Sequence, residues 1–128
     1  VGANLGWFTL LAASKGASVI AFEPVPQHCR KLEQSVALNQ FADRVVLVER
    51  AVARKEDEMK LHVFEIGPSP TAYVTETTNR DDAGTKPSNH DLIVQTIQVD
   101  AAVDAVLPTL PQSHDELPSV EVLKIDAE

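Results

Sequence analysis

The alternation of short, wholly apolar runs with amphipathic stretches constrains the fold of this chain more than any other feature. The runs at 18–22 and 44–49 read S-V-I-A-F and R-V-V-L-V-E. Such β-branched, continuous apolar runs are typical of strands buried on both faces. Between them, segment 26–39 begins with proline and carries an apolar stripe at helical spacing, which predicts a helix. Strands alternating with helices predict a parallel α/β sheet with right-handed crossovers.

A turn of small residues opens the chain. Val1–Gly6 reads V-G-A-N-L-G, and residues 6–15 read G-W-F-T-L-L-A-A-S-K, which favours a first helix. We expect Asn4 to cap the start of this helix and Gly16 to follow its last turn.

The second half of the chain predicts shorter elements. Hairpin-like strands are predicted over 59–64, 73–76 and 92–99, followed by a terminal strand over 120–126. Asp100 is a candidate N-cap for a short helix over 101–107. The segment 67–91 is rich in Pro, Ser, Thr, Asn and Asp and is interpreted as a long, substrate-facing loop around the strand near 73–76.

Composition excludes several classes of protein. The 128 residues fit one domain, and 44% of them are hydrophobic, which is enough to build a core. Eleven Lys and Arg against nineteen Asp and Glu give a net charge of −8, so we expect no nucleic-acid partner. The single cysteine excludes an internal disulfide and permits a reducing compartment. No apolar run reaches the roughly 18 residues that span a bilayer, so no membrane segment is expected.

Three features are expected to meet at one edge of the sheet, because ligands of open α/β folds bind at the carboxyl ends of the strands. The first is the opening turn, whose glycines allow a ligand close to the backbone. The second is Glu23, directly after the run at 18–22, whose carboxylate can accept hydrogen bonds from both hydroxyls of a ribose. The third is Asp126, at the end of the last predicted strand.

The opening turn bears on which nucleoside cofactor is bound. A dinucleotide requires G-x-G-x-x-G to seat its pyrophosphate on a helix N-terminus. Here Asn4 and Trp7 stand at the second and third glycine positions. The observed G-x-N-x-G fits a nucleoside without a pyrophosphate, such as S-adenosyl-L-methionine. A nicotinamide-dependent oxidoreductase with a degenerate glycine motif stays open as an alternative.

Three segments together carry a family resemblance. The sequences V-G-A-N-L-G, V-I-A-F-E-P and V-E-V-L-K-I-D-A-E resemble, in order and spacing, the FkbM-type family of S-adenosylmethionine-dependent methyltransferases. The resemblance implies a Rossmann-like class I methyltransferase sheet with flanking helices. In that family an acidic residue precedes the glycine motif, and the last motif continues into a glycine and a glutamate. We therefore expect residues 1–128 to be a partial domain, without the first core strand and the C-terminal strands.

The resemblance also implies positions around S-adenosyl-L-methionine. The methionine portion would be lined by Gly2, Ala3, Asn4 and Gly6. Glu23 would hold the ribose, with Pro24 and Val25 beside the adenine. Ala51 is a further adenine candidate by analogy of strand position. Asp126 would lie near the sulfonium, where it is a candidate general base and equally a positioning carboxylate.

The function that the resemblance implies is O-methyl transfer to the hydroxyl of a small molecule or glycan. A cytoplasmic location is expected separately, because no signal peptide is visible in the sequence. The chain by itself is expected to fold poorly and to have little activity. An inactive Rossmann-like domain without catalysis is a second alternative.

Other chemically capable residues are given structural interpretations. Trp7 and Phe8 are expected in the core, and Cys29 is expected to be a packed thiol. The four histidines, His28, His62, His90 and His114, lack metal-ligand spacing, so no metal site is expected.

Overall fold

A computed structural model describes residues 1–64, 71–75, 90–111 and 120–125, with the backbone alone for 62–64, 71–75 and 90. Its helices are α1 (Trp7–Ser14), α2 (Pro26–Leu38) and α3 (Val99–Val106), the last followed by a 3₁₀ turn at Leu107–Thr109. Its strands are β1 (Val19–Phe22), β2 (Val45–Val48), β3 (Ala51–Val52), β4 (Glu58–Phe64), β5 (Thr71–Thr75) and β6 (His90–Ile97).

The first half of the chain forms the predicted strand–helix–strand unit. Strands β1 and β2 pair in parallel, with Val19 opposite Val45 and Phe22 opposite Val48. Helix α2 makes the crossover between them, and Pro26 begins it, as expected of a residue that lacks a backbone N–H. The parallel α/β arrangement is therefore confirmed for this unit.

The second sheet is mixed rather than parallel. Its order is β3-β6-β4-β5, and only β3 and β6 are parallel, while β4 is antiparallel to both of its neighbours. A parallel crossover requires a dozen or more residues. The six residues between the end of β4 and the start of β5 are too few, so these strands pair as an antiparallel hairpin. The hairpin-like pairing predicted for these strands is therefore confirmed, and the parallel pairing is limited to β1–β2 and β3–β6 in the described chain.

Two clusters of buried side chains hold the elements together. One packs α1 and α2 on the first sheet and consists of Ala13, Ala21, Leu32, Val36 and Val45. The other joins the start of α2 to the second sheet and consists of Val25, Ala51, Leu61 and Val94. The second cluster packs Val25, which directly precedes α2, against Ala51, the first residue of β3. The end of β1 and the start of β3 therefore lie on the same side of the molecule.

The core prediction for Trp7 and Phe8 is wrong. Their exposed fractions are 76% and 56%. The buried face of α1 is set by Thr9 and Ala13, which lie one turn apart, and helical geometry turns the side chains of residues 7 and 8 away from that face. Phe8 instead lies under Lys124, whose Nζ is 4.4 Å from the ring centroid.

The strand prediction for 120–126 is also wrong over the described residues 120–125, which belong to no helix or strand. A strand requires a ladder of hydrogen bonds to a neighbour, and within the described chain the ladder partner of β1 is β2. Val120, Val122, Leu123 and Ile125 are more than half exposed.

Two of the cap predictions fail while a third holds. Gly6, not Asn4, precedes α1, and Gln98, not Asp100, precedes α3, where Asp100 lies in the first turn. An acidic side chain there interacts favourably with the helix dipole. Gly16 follows the last turn of α1 with φ +90°, as predicted.

No helix within the described ranges combines the length and apolarity required to cross a membrane.

Candidate functional site

The opening turn is wound tightly against the end of β1. Gly2, Asn4 and Gly6 have φ values of +70°, +51° and +89°, so alternate residues adopt the left-handed conformation. The N–H of Ala3 donates to the carbonyl of Phe22, the last residue of β1, at 2.9 Å. The turn therefore lies at the carboxyl end of β1, the edge at which α/β folds bind ligands.

Gly6 has a packing reason to be glycine. A Cβ built at this position would lie 2.2 Å from Cδ1 of Leu32 on α2. The absence of a side chain thus allows the start of α1 to approach α2. Contact between Gly6 and the methionine portion of a cofactor stays a prediction.

Glu23 is buried and is hydrogen-bonded through both of its carboxylate oxygens. Its backbone N–H donates to the Val48 carbonyl at 3.1 Å and extends the β1–β2 ladder by one residue. The residue is 4% exposed. Its Oε2 accepts the N–H of Asn4 at 2.7 Å, and its Oε1 accepts the N–H of Val25 at 3.1 Å. Backbone donors from the opening turn and from the entry to α2 thus hold one buried carboxylate from two sides.

His28 contacts the same carboxylate, and the sequence interpretation missed this role. Its Nδ1 lies 3.2 Å from Oε1 of Glu23, and the residue is 3% exposed. Its Nε2 is buried without a hydrogen-bond partner in the described part of the chain. The signal available in the sequence was its place on the first turn of α2, five residues after Glu23.

The hydrogen-bond inventory of Glu23 limits what more it can accept. A carboxylate offers about four acceptor positions. Oε1 accepts from the N–H of Val25 and is in contact with Nδ1 of His28, whereas Oε2 accepts from Asn4. One acceptor position therefore remains, on Oε2. The sequence alone predicts a carboxylate that accepts both ribose hydroxyls, so the structure leaves room for fewer contacts than predicted.

The other predicted site residues fall into three groups. Gly2, Ala3 and Pro24 are partly buried around Glu23. Val25 and Ala51, each 4% exposed, belong to one buried cluster, so two of the three adenine candidates lie in the same region. Asp126 lies outside the described residues.

The structure does describe contacts of Lys124, two residues before Asp126. The N-terminal amino group of Val1 donates to the carbonyl of Lys124 at 2.7 Å. Lys124 also lies over Phe8 at the start of α1. Lys124 thus lies beside the opening turn and the start of α1.

Cys29 is a packed thiol, as expected. It is 0% exposed, and its Sγ donates to the carbonyl of Glu23 at 3.1 Å. Burial, and then the negative charges of Glu49, Glu23 and Glu33, raise its pKa to about 12. A thiol in this state is a poor nucleophile, because reactivity requires the thiolate. Among the described residues, no group of three His, Cys, Asp or Glu side chains could hold a metal ion.

Comparison with known proteins identifies the family of this chain. The family model described as the methyltransferase FkbM domain matches residues 1–128. Neither a curated protein nor a solved structure matches the chain. Because the match covers the whole sequence, the chain belongs to the FkbM methyltransferase domain family.

Proposed function

We propose that this FkbM-family methyltransferase domain uses S-adenosyl-L-methionine and binds its ribose through Glu23. The observation that supports this most directly is the buried carboxylate at the carboxyl end of β1, bonded to the N–H groups of Asn4 and Val25. A buried charge is retained only where it is well paired. Here its partners are backbone groups of the two segments that would flank a nucleoside.

The fit to the cofactor follows from the same contacts. The remaining acceptor position on Oε2 suits one ribose hydroxyl, which is a neutral donor. Val25 and Ala51 provide an apolar region for the adenine edge, with Pro24 beside it. The alternating left-handed residues of the opening turn expose backbone groups toward the methionine portion.

S-adenosyl-L-methionine supplies a methyl group already activated on its sulfonium sulfur. The chain's task is to align the acceptor atom with that methyl group, which can contribute ~7–11 kcal/mol. Alignment is served here by a turn fixed to β1 through Ala3 and to Glu23 through Asn4.

We place a hydroxyl of a small molecule or glycan as the methyl acceptor, and Asp126 as its general base or positioning group. The contact between Val1 and Lys124 supports this assignment, because it brings the chain to the opening turn two residues before Asp126. Such a base would remove the hydroxyl proton as the new bond forms.

A cytoplasmic location belongs to the same proposal. Cys29 is a free thiol, which suits a reducing compartment.

Titration calorimetry of the chain with S-adenosyl-L-methionine and, separately, with NADH tests the proposal. We expect binding of the first and none of the second. Preference for NADH would favour the oxidoreductase alternative. Absence of binding to both would favour a domain without catalytic function.

A further inference from the structure

Among the described residues, His28 is a buried polar side chain beside Glu23 for which the proposed ribose contact gives no reason. It is 3% exposed, and its Nδ1 lies 3.2 Å from Oε1 of Glu23. Its Nε2 is buried and unpartnered within the described ranges. Leaving a buried polar atom unsatisfied costs about 1–3 kcal/mol. A leucine would fill similar space without that cost, so the Nδ1 contact requires its own explanation.

The contact fixes the form of the imidazole ring. A lone pair on Nδ1 would face the lone pairs of Oε1, so Nδ1 must carry the hydrogen and donate it to Glu23. We therefore assign the Nδ1–H form, in which Nδ1 is the donor to Glu23.

This form has a consequence for the carboxylate. Together, His28 and the N–H of Val25 occupy both acceptor positions of Oε1. The N–H of Asn4 occupies one position of Oε2. The carboxylate is thereby held in one orientation before any ligand arrives, with its last acceptor position on Oε2.

We propose that His28 is a positioning residue for Glu23: its Nδ1–H holds Oε1, so that Oε2 alone is presented to the ribose of the cofactor. This inference rests on the proposed function, in which Glu23 binds the ribose. It assigns His28 no contact with the cofactor itself.

Nitrogen-15 NMR of the histidine rings tests the contact without a ligand. In the wild-type chain we expect His28 to show the Nδ1–H tautomer, and to keep it when S-adenosylhomocysteine is added. The Nε2–H tautomer, which neutral histidine favours in water, would overturn the proposal.

Binding of S-adenosylhomocysteine, measured by calorimetry, tests the consequence. The variant His28→Leu removes the donor, and we expect roughly tenfold weaker binding, which corresponds to about 1.4 kcal/mol. The variant His28→Asn offers an amide N–H near the Nδ1 position and should recover most of the affinity. Gln27→Leu, an exposed change on the same helical turn, is the control and should bind as the wild type does.

Equal weakening in His28→Leu and His28→Asn, or no weakening in either, would overturn the positioning role. If His28→Leu does not fold, the tautomer and the His28→Asn affinity still decide the question. A wild-type chain that shows the Nδ1–H tautomer but does not bind S-adenosylhomocysteine would refute the proposed function while leaving the contact itself established.

Discussion

Substituting Gly6 by alanine should destabilise the chain through two separable effects. The first is the left-handed backbone, since φ is +89°, which costs an L-residue with a side chain about 1–2 kcal/mol. The second is the added methyl group, which would lie 2.2 Å from Cδ1 of Leu32. Because Leu32 is 0% exposed in a packed cluster, it cannot move away freely, and overpacking of this kind costs about 1–3 kcal/mol.

Together the two effects should lower the free energy of unfolding by roughly 2–5 kcal/mol. That is a large share of the total free energy of unfolding of a typical domain, which is about 5–15 kcal/mol. Urea unfolding followed by circular dichroism measures it. With an m-value of about 1.5 kcal/mol/M, the midpoint should fall by roughly 1–3 M.

Gly16→Ala is the matched control. Gly16 has nearly the same φ, +90°, but a Cβ there would meet nothing within 4 Å. It should therefore show only the backbone cost of about 1–2 kcal/mol. Equal destabilisation by Gly6→Ala and Gly16→Ala would refute the packing argument. In a Leu32→Ala background, the cost of Gly6→Ala should fall to the backbone value.

Three further predictions concern a buried hydroxyl, the thiol and the last motif. Thr96→Val should lower the free energy of unfolding by about 1–3 kcal/mol in urea melts, because Thr96 Oγ1 bonds the Asp57 N–H and the Lys55 carbonyl, both at 2.7 Å; an unchanged melt contradicts this. Because the pKa of Cys29 is raised to about 12, iodoacetamide at pH 9 should label this thiol quickly in urea and very slowly in the native chain. The stability that the buried thiol contributes should decline as the pH rises above 9. Rapid labelling of the native chain contradicts this. Asp126→Asn should lower methyl-transfer turnover far more than cofactor affinity, and equal losses would remove Asp126 from the mechanism.

The strand–helix–strand unit was predictable because its signals are local. Continuous β-branched runs, a proline at the first turn of α2 and a glycine after α1 each act within a few residues. The structure confirms all three. The parallel pairing then follows from the length of the crossover.

The failures arise where tertiary contacts decide. Trp7 and Phe8 were assigned to the core on hydrophobicity, but the face of α1 that becomes buried depends on where Gly6 lets it meet α2. The strand predicted over 120–126 has suitable composition, yet residues 120–125 form no strand, because composition cannot supply a neighbouring ladder.

The candidate site shows the same division. Glu23 was identified from its place after a buried strand, and the structure buries it beside the opening turn. The place of His28 on the first turn of α2 indicates that it lies near Glu23, but its contact with the carboxylate depends on a distance that the sequence pattern does not give.

Calorimetric titration of Glu23→Gln with S-adenosyl-L-methionine tests the ribose-binding role most directly. Glu33→Gln is the control, since it removes the same charge from an exposed position on α2. We expect Glu23→Gln to bind roughly ten- to a hundredfold more weakly than the wild type, because it loses a charge-assisted hydrogen bond of about 1.5–3 kcal/mol, while Glu33→Gln binds normally. Wild-type affinity in Glu23→Gln, with the fold retained by circular dichroism, would contradict the assignment of Glu23 as the ribose-binding residue.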